Sequence, residues 1–253
     1  MSINVSGEDP ILFDMGTGLR YFGLTQPTDG TFRGSCLLTH LHWDHAQGLP
    51  FFKPILCPGA RLDIYGPVQE DGRHLADAVR SFLSPPHFPV PIEALPGQIV
   101  FHDLGNSDIA IGRAEVRSRL IPHVGNTLGY RVTINGVSIA YLPDHQQPMD
   151  GTLSTVPEVM ELIDGVDLLI HDAQYTPAEF AVKRDWGHCT PEYALWLAAE
   201  AHVGTLALFH HDPVRDDRAL DDLTLMAQRI GEANGFDVFA AAEGMSFTVR
   251  PGA

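Results

Sequence analysis

Thr39-His40-Leu41-His42-Trp43-Asp44-His45 follows directly on the apolar run Cys36 to Thr39. Three histidines and an aspartate fall within six residues of that stretch. Neutral imidazole and carboxylate are the N and O donors that Zn²⁺ and similar divalent ions prefer. Several such groups packed at a strand end are hard to satisfy without a cation, because burying polar and charged groups is costly unless each has a partner. One six-residue cluster cannot complete the shells of two metals, so further donors are expected at later strand ends. His123 after Leu120-Ile121-Pro122, Asp144 after Tyr141-Leu142-Pro143, and the pair His210-His211 after Leu208-Phe209 stand at such places.

The chain of 253 residues carries 16 Lys+Arg against 32 Asp+Glu, a formal charge of −16. That balance argues against an electrostatic nucleic-acid binder. Hydrophobic residues at 44% and charged residues at 19% are globular proportions, and a single domain over residues 1–253 is expected. Cys36, Cys57 and Cys189 are widely spaced with no C-x-x-C, which points to neither a disulfide framework nor a cysteine zinc site and suits a reducing compartment. No apolar run approaches the ~18 residues of a membrane span, and the first residues lack a basic and an apolar region, so a cytoplasmic protein without membrane contact is expected.

Short apolar runs bounded by Gly, Pro and Asp read as strands: Ile11 to Asp14, Cys36 to Thr39, Leu62 to Tyr65, Ile99 to Leu104, Leu128 to Ile134, Val137 to Leu142, Leu168 to His171, Thr205 to His210 and Phe236 to Ala240. Asn135-Gly136 marks a hairpin, since both residues tolerate the positive φ of a two-residue turn. Helical spacing appears at Leu75, Val79, Phe82 and Leu83, and again after Pro157. Thr190-Pro191 caps a helix running to about His202, and Asp216 or Asp217 opens another that ends before Gly235. Ser84 to Gly97, with Pro85, Pro86, Pro89, Pro91 and Pro96, cannot be a helix or a central strand. Gly16 and Gly18 read as turn glycines, with no helix pattern after them to form a phosphate cradle.

The H-x-H-x-D-H motif, preceded by Leu12-Phe13-Asp14-Met15-Gly16-Thr17-Gly18, resembles the metallo-β-lactamase superfamily of metal-dependent hydrolases. The resemblance extends in order through His123, Asp144 and His210-His211, nearly the whole chain. It implies an α/β fold of mixed sheets, a four-layer αββα sandwich with the site at one sheet edge, and two divalent metal ions. Zn²⁺ is the default and Mn²⁺ or Fe²⁺ suit the same shell. By the resemblance the first metal takes His40, His42 and His123. The second takes Asp44, His45 and one histidine of the pair, and Asp144 bridges the two together with a water or hydroxide. The strand leading into His210 makes it the expected last ligand, with His211 the alternative. Asp14 is expected to hydrogen-bond behind the ligand loop.

Leu169-Ile170-His171-Asp172-Ala173-Gln174-Tyr175 and Trp186-Gly187-His188-Cys189-Thr190 are similar to segments of the ribonuclease Z and phosphodiesterase branch. There the histidine matching His188 protonates the leaving oxygen, oriented by the carboxylate matching Asp172, although Asp stands here where the branch has Glu. Asp44, Asp172 and His188 are thus the expected catalytic residues. His171 is expected to be structural, and His145 either to touch substrate or, as is more usual beside a ligand, to support its neighbour Asp144. No cysteine replaces Asp144, unlike the branch that hydrolyses β-lactams. Compared with the branch, the amino-terminal strand region is short, as after a truncation or deletion. With Lys53 and Lys183 the only lysines, no basic arm for tRNA is visible. These features imply a phosphodiesterase acting on a small phosphodiester such as a cyclic nucleotide. The alternatives are an ester, lactone or thioester hydrolase, a tRNA 3′-processing endonuclease, or a non-catalytic metal-binding regulatory protein. A homodimer is compatible with the family's edge-placed site.

Overall fold

A computed structural model describes residues 1–250. The chain divides into two compact units, the first comprising residues 1–107 and 125–128 and the second the remainder.

The first unit holds a five-stranded sheet in chain order, β1 (Ser2–Ile3), β2 (Ile11–Phe13), β3 (Arg33–Leu37), β4 (Arg61–Pro67) and β5 (Gln98–Leu104). β1 pairs antiparallel with β2, and the later pairs are parallel. Leu12, Cys36, Leu62 and Ile64 are buried in one cluster with Met15, Phe52, Ile55 and Val79. Val79 comes from the helix α3 (Leu75–Phe82), whose apolar spacing was legible in the sequence. Two shorter helices, α1 (Gly18–Gly23) and α2 (Trp43–Ala46), flank the ends of β2 and β3 in sequence. α1 corrects the expectation that no helix follows Gly16-Thr17-Gly18. It is six residues long, has a glycine at each end and makes no side-chain cap bond at Thr17, too short for an apolar periodicity to mark it.

The second unit holds a seven-stranded sheet. Its strands are β6 (Ser107–Ile111), β7 (Ala114–Ile121), β8 (Thr127–Ile134), β9 (Val137–Leu142), β10 (Leu168–Asp172), β11 (Thr205–Phe209) and β12 (Asp237–Ala240), in the order β12-β11-β10-β9-β8-β7-β6. β9 through β12 run parallel, while β8 and β9 form an antiparallel hairpin at Asn135-Gly136, where φ is 54° and 78°. Both residues take the left-handed region that a two-residue hairpin turn demands. β6 and β7 were not read from the sequence. β7 alternates inward Ala114, Val116 and Ser118 with outward Glu115, Arg117 and Arg119, so it shows no apolar run.

The mixed sheets and α/β class expected from the sequence are present. Helices α4 (Pro157–Ile163), α6 (Pro191–Glu200) and α7 (Asp217–Asn234) pack on the second sheet around Leu169, Leu197, Leu206 and Leu208. A further helical turn, α5 (Pro177–Phe180), follows β10. α6 starts where Thr190 Oγ1 accepts the Tyr193 N–H, and α7 where Asp216 Oδ1 accepts the Ala219 N–H at 2.8 Å. Gly235 ends α7 at φ 82°. Residues 84–97 form turns and one 3-10 turn, Ile92–Ala94, in keeping with their prolines. Among the described residues no helix is long and apolar enough to cross a membrane.

The parallel strands β10 and β11, which lead to Asp172 and His210, thus rest on an apolar core. Leu208→Ala, at a side chain 0% exposed, is expected to cost about 2–5 kcal/mol. Leu225→Ala on the exposed side of α7 should stay within about 0.5 kcal/mol. Urea denaturation of both variants checks this, and equal losses would contradict the packing described.

Candidate metal centre

In the first unit the turn after β3 carries His40, His42, Asp44 and His45, and the end of β2 lies against it. Met15 N–H donates to the His45 carbonyl and Gly48 N–H to the Met15 carbonyl, each at 2.7 Å. A Cβ on Gly16 would meet the Asp44 carbonyl oxygen at 2.2 Å, so only glycine allows this approach. The same segment places Asp14, at φ 59°, behind the turn. Its Oδ1 accepts the Thr39 backbone N–H at 2.8 Å and the Thr39 hydroxyl at 2.9 Å, and its Oδ2 lies 2.8 Å from His45 Nδ1.

These bonds decide where the imidazole protons sit. An aspartate only accepts, so His45 holds its proton on Nδ1 and presents Nε2, 3.2 Å from an Asp44 oxygen. The Thr39 hydroxyl donates its hydrogen bond to Asp14 and therefore accepts from His40 Nδ1–H at 3.0 Å. His40 Nε2 is then the lone-pair nitrogen, 2.8 Å from His42 Nδ1. One buried carboxylate orients two imidazoles, directly at His45 and through Thr39 at His40.

In the second unit four strand ends or following turns contribute. His123 Nδ1 donates to the Gly187 carbonyl at 2.7 Å, which leaves Nε2 facing Asp144 Oδ2 at 3.6 Å. A Cβ on Gly187, at φ 96°, would lie 2.4 Å from the His123 ring, so glycine is required there as well. His210, at φ 55° just past β11, sets Nε2 3.5 Å from Asp144 Oδ1. His211 turns away, its Nε2 3.2 Å from the Ala241 carbonyl. Side-chain nitrogen and oxygen atoms of Asp144, His188 and His210 come within 4.8 Å of one another, and the His188 and His210 rings stack at 5.0 Å.

Asp172 at the end of β10 is fully buried. Its Oδ2 accepts His188 Nδ1–H at 2.8 Å and the His145 N–H at 3.1 Å, while Oδ1 accepts the Gln174 N–H at 2.9 Å. The shorter Asp side chain thus makes direct contact with His188. Behind it, His171 Nδ1 donates to the Asp172 carbonyl at 2.8 Å and its Nε2 meets His145 Nδ1 at 2.9 Å. Burial pushes both histidines down in pKa, toward the neutral form. His171 therefore accepts from His145. Tyr175 packs edge-on to His188 at 5.5 Å, its phenol pushed up to about 12 by burial and nearby carboxylates. Gln146 and Gln147, which bond to Gly187 and Thr190 on either side of His188, were not singled out from the sequence, where no motif includes them.

In each unit, imidazole lone pairs and carboxylate oxygens confront one another. Two acceptors at such distances repel unless a proton or a cation lies between them. The donor chemistry, all nitrogen and carboxylate oxygen, fits a divalent ion such as Zn²⁺.

Residues 11–211 match the family described as beta-lactamase superfamily domain. A ribonuclease BN of Escherichia coli is 25% identical, with 90% of this chain and 88% of the relative covered. The crystal structure of human tRNase Z, short form, has a TM-score of 0.69 at 22% identity, covering 98% of this chain and 91% of that one. The structure of a diphosphatase from the PhnP family has a TM-score of 0.68 at 19% identity, covering 98% and 83%. The fold is therefore the metallo-β-lactamase fold. The chain belongs to the β-lactamase superfamily, on the branch that resembles ribonuclease Z.

Proposed function

We propose that the chain is a dinuclear metal-dependent phosphodiesterase acting on a small phosphodiester such as a cyclic nucleotide. His40, His42, Asp44 and His45 of the first unit and His123, Asp144 and His210 of the second are the proposed ligands, assigned by the order of the family's motif. The observation that carries the reading is the pair His188 and Asp172. When bound, two divalent ions supply a water acidified toward neutral pKa and positive charge for the phosphoryl oxygens. The chain's own residues supply the proton.

His188 gives its Nδ1–H to Asp172, so Nε2 is the nitrogen from which a proton reaches the departing oxygen. Asp172 is itself held by two backbone N–H groups and cannot swing away as the imidazole changes charge. A phosphodiester, whose leaving alkoxide is strongly basic, has use for such a pair. The names of the relatives, two nucleases of RNA and a diphosphatase, agree with phosphate ester chemistry. A charge of −16 and two lysines weigh against long RNA as substrate, since phosphate neutralisation supplies much of such affinity.

His188→Ala is expected to lower turnover of a phosphodiester about 10²- to 10⁴-fold with metal content unchanged. Asp144→Ala should lose at least one metal per chain by elemental analysis; full occupancy in that variant would refute its place among the ligands. Asp14→Ala removes the acceptor that holds His45 and Thr39, and should weaken zinc binding about 10- to 100-fold in a chelator competition.

A further inference from the structure

Two residues past Asp144, Gln146 is engaged through its backbone and both side-chain polar atoms. Its backbone N–H donates to the Pro122 carbonyl at 2.7 Å. Its Oε1 accepts the Gly187 N–H at 2.7 Å. Its Nε2 donates to the Gln147 carbonyl at 2.7 Å and reaches the His188 carbonyl at 3.4 Å. The partners fix which end is oxygen, since an amide N–H only donates and a carbonyl only accepts.

What hangs from these bonds is the active segment of the second unit. Pro122 immediately precedes His123, and Gly187 immediately precedes His188. The Gly187 carbonyl receives the His123 proton, so its direction decides where His123 aims its lone pair. Glycine has no side chain to restrict its own rotation, and at φ 96° this one needs outside contacts to set its carbonyl. Gln146 supplies the contact on the N–H side. The neighbouring Gln147 does different work, its Oε1 accepting the Thr190 N–H at the start of α6.

The geometry points to Gln146 as a positioning residue that couples the aim of His123 to the placement of His188. An amide side chain of this length serves both ends. A carboxylate there would accept from Gly187 but set oxygen against the carbonyls of Gln147 and His188. A hydrocarbon would leave the Gly187 N–H without its partner.

Gln146→Met and Gln146→Glu test this, with zinc affinity measured by competition with a chromophoric chelator. Turnover is compared on bis(p-nitrophenyl) phosphate and on diphenyl phosphate, whose more basic leaving group needs more help from a proton donor. Gln146→Met should weaken zinc binding about tenfold. It should also lose about tenfold more activity on diphenyl phosphate than on the nitrophenyl ester. Gln146→Glu, which keeps the acceptor for Gly187, should fall between it and the parent on both readouts, and it carries the test if the Met variant does not fold. Zinc affinity within twofold of the parent, or equal losses on the two esters, overturns the proposal. Only the ester comparison rests on the phosphodiesterase reading. If the parent cleaves neither diester while the variants bind zinc more weakly, the positioning of His123 stands and that reading falls.

Discussion

A neutral imidazole can aim a lone pair at a cation only if its other nitrogen has somewhere to place a proton. Every histidine whose aim can be read here obeys that constraint. His45 donates its Nδ1–H to Asp14, His40 to the Thr39 hydroxyl, and His123 to the Gly187 carbonyl. His188 gives its proton to Asp172. The backbone follows from these needs. Asp14 and His210 sit at positive φ, and Gly16 and Gly187 occupy places where a Cβ would collide with the ligand segments. Strain and tight approach of this kind gather at sites held in place by the surrounding structure.

Two carboxylates play similar parts in different units. Asp14 receives two bonds from Thr39 and one from His45; Asp172 receives two backbone N–H groups and His188. Each is buried, and each turns a ring that could rotate into one that points. The difference lies in what the ring does next. His45 turns Nε2 toward the carboxylate of Asp44, an acceptor, at 3.2 Å. His188 stacks on His210 and packs edge-on against Tyr175.

Much of this could be read in the sequence because the chemistry is written in residue type. H-x-H-x-D-H needs no structure to suggest a metal, and the capped helices after Thr190 and Asp216 carry their own start signals. The Asn135-Gly136 hairpin is as explicit. What stayed hidden had no local signature. α1 lacks a cap, and β7 hides its inward side chains among arginines. Gln146 becomes meaningful only when Gly187, 41 positions away, is seen against it. The tautomers depend on partners such as Thr39 and Asp14, separated by 25 positions, so no spacing rule could have supplied them.

The central claim is that these oriented donors serve phosphodiester hydrolysis. The most direct measurement is turnover of bis(p-nitrophenyl) phosphate, beside p-nitrophenyl acetate, by protein whose metal content has been quantified. The account predicts two divalent ions per chain together with diesterase turnover that is lost on chelation. Full metal content with cleavage of the acetate alone would contradict it, because the oriented donors would then serve attack at a carbonyl carbon and not at phosphorus.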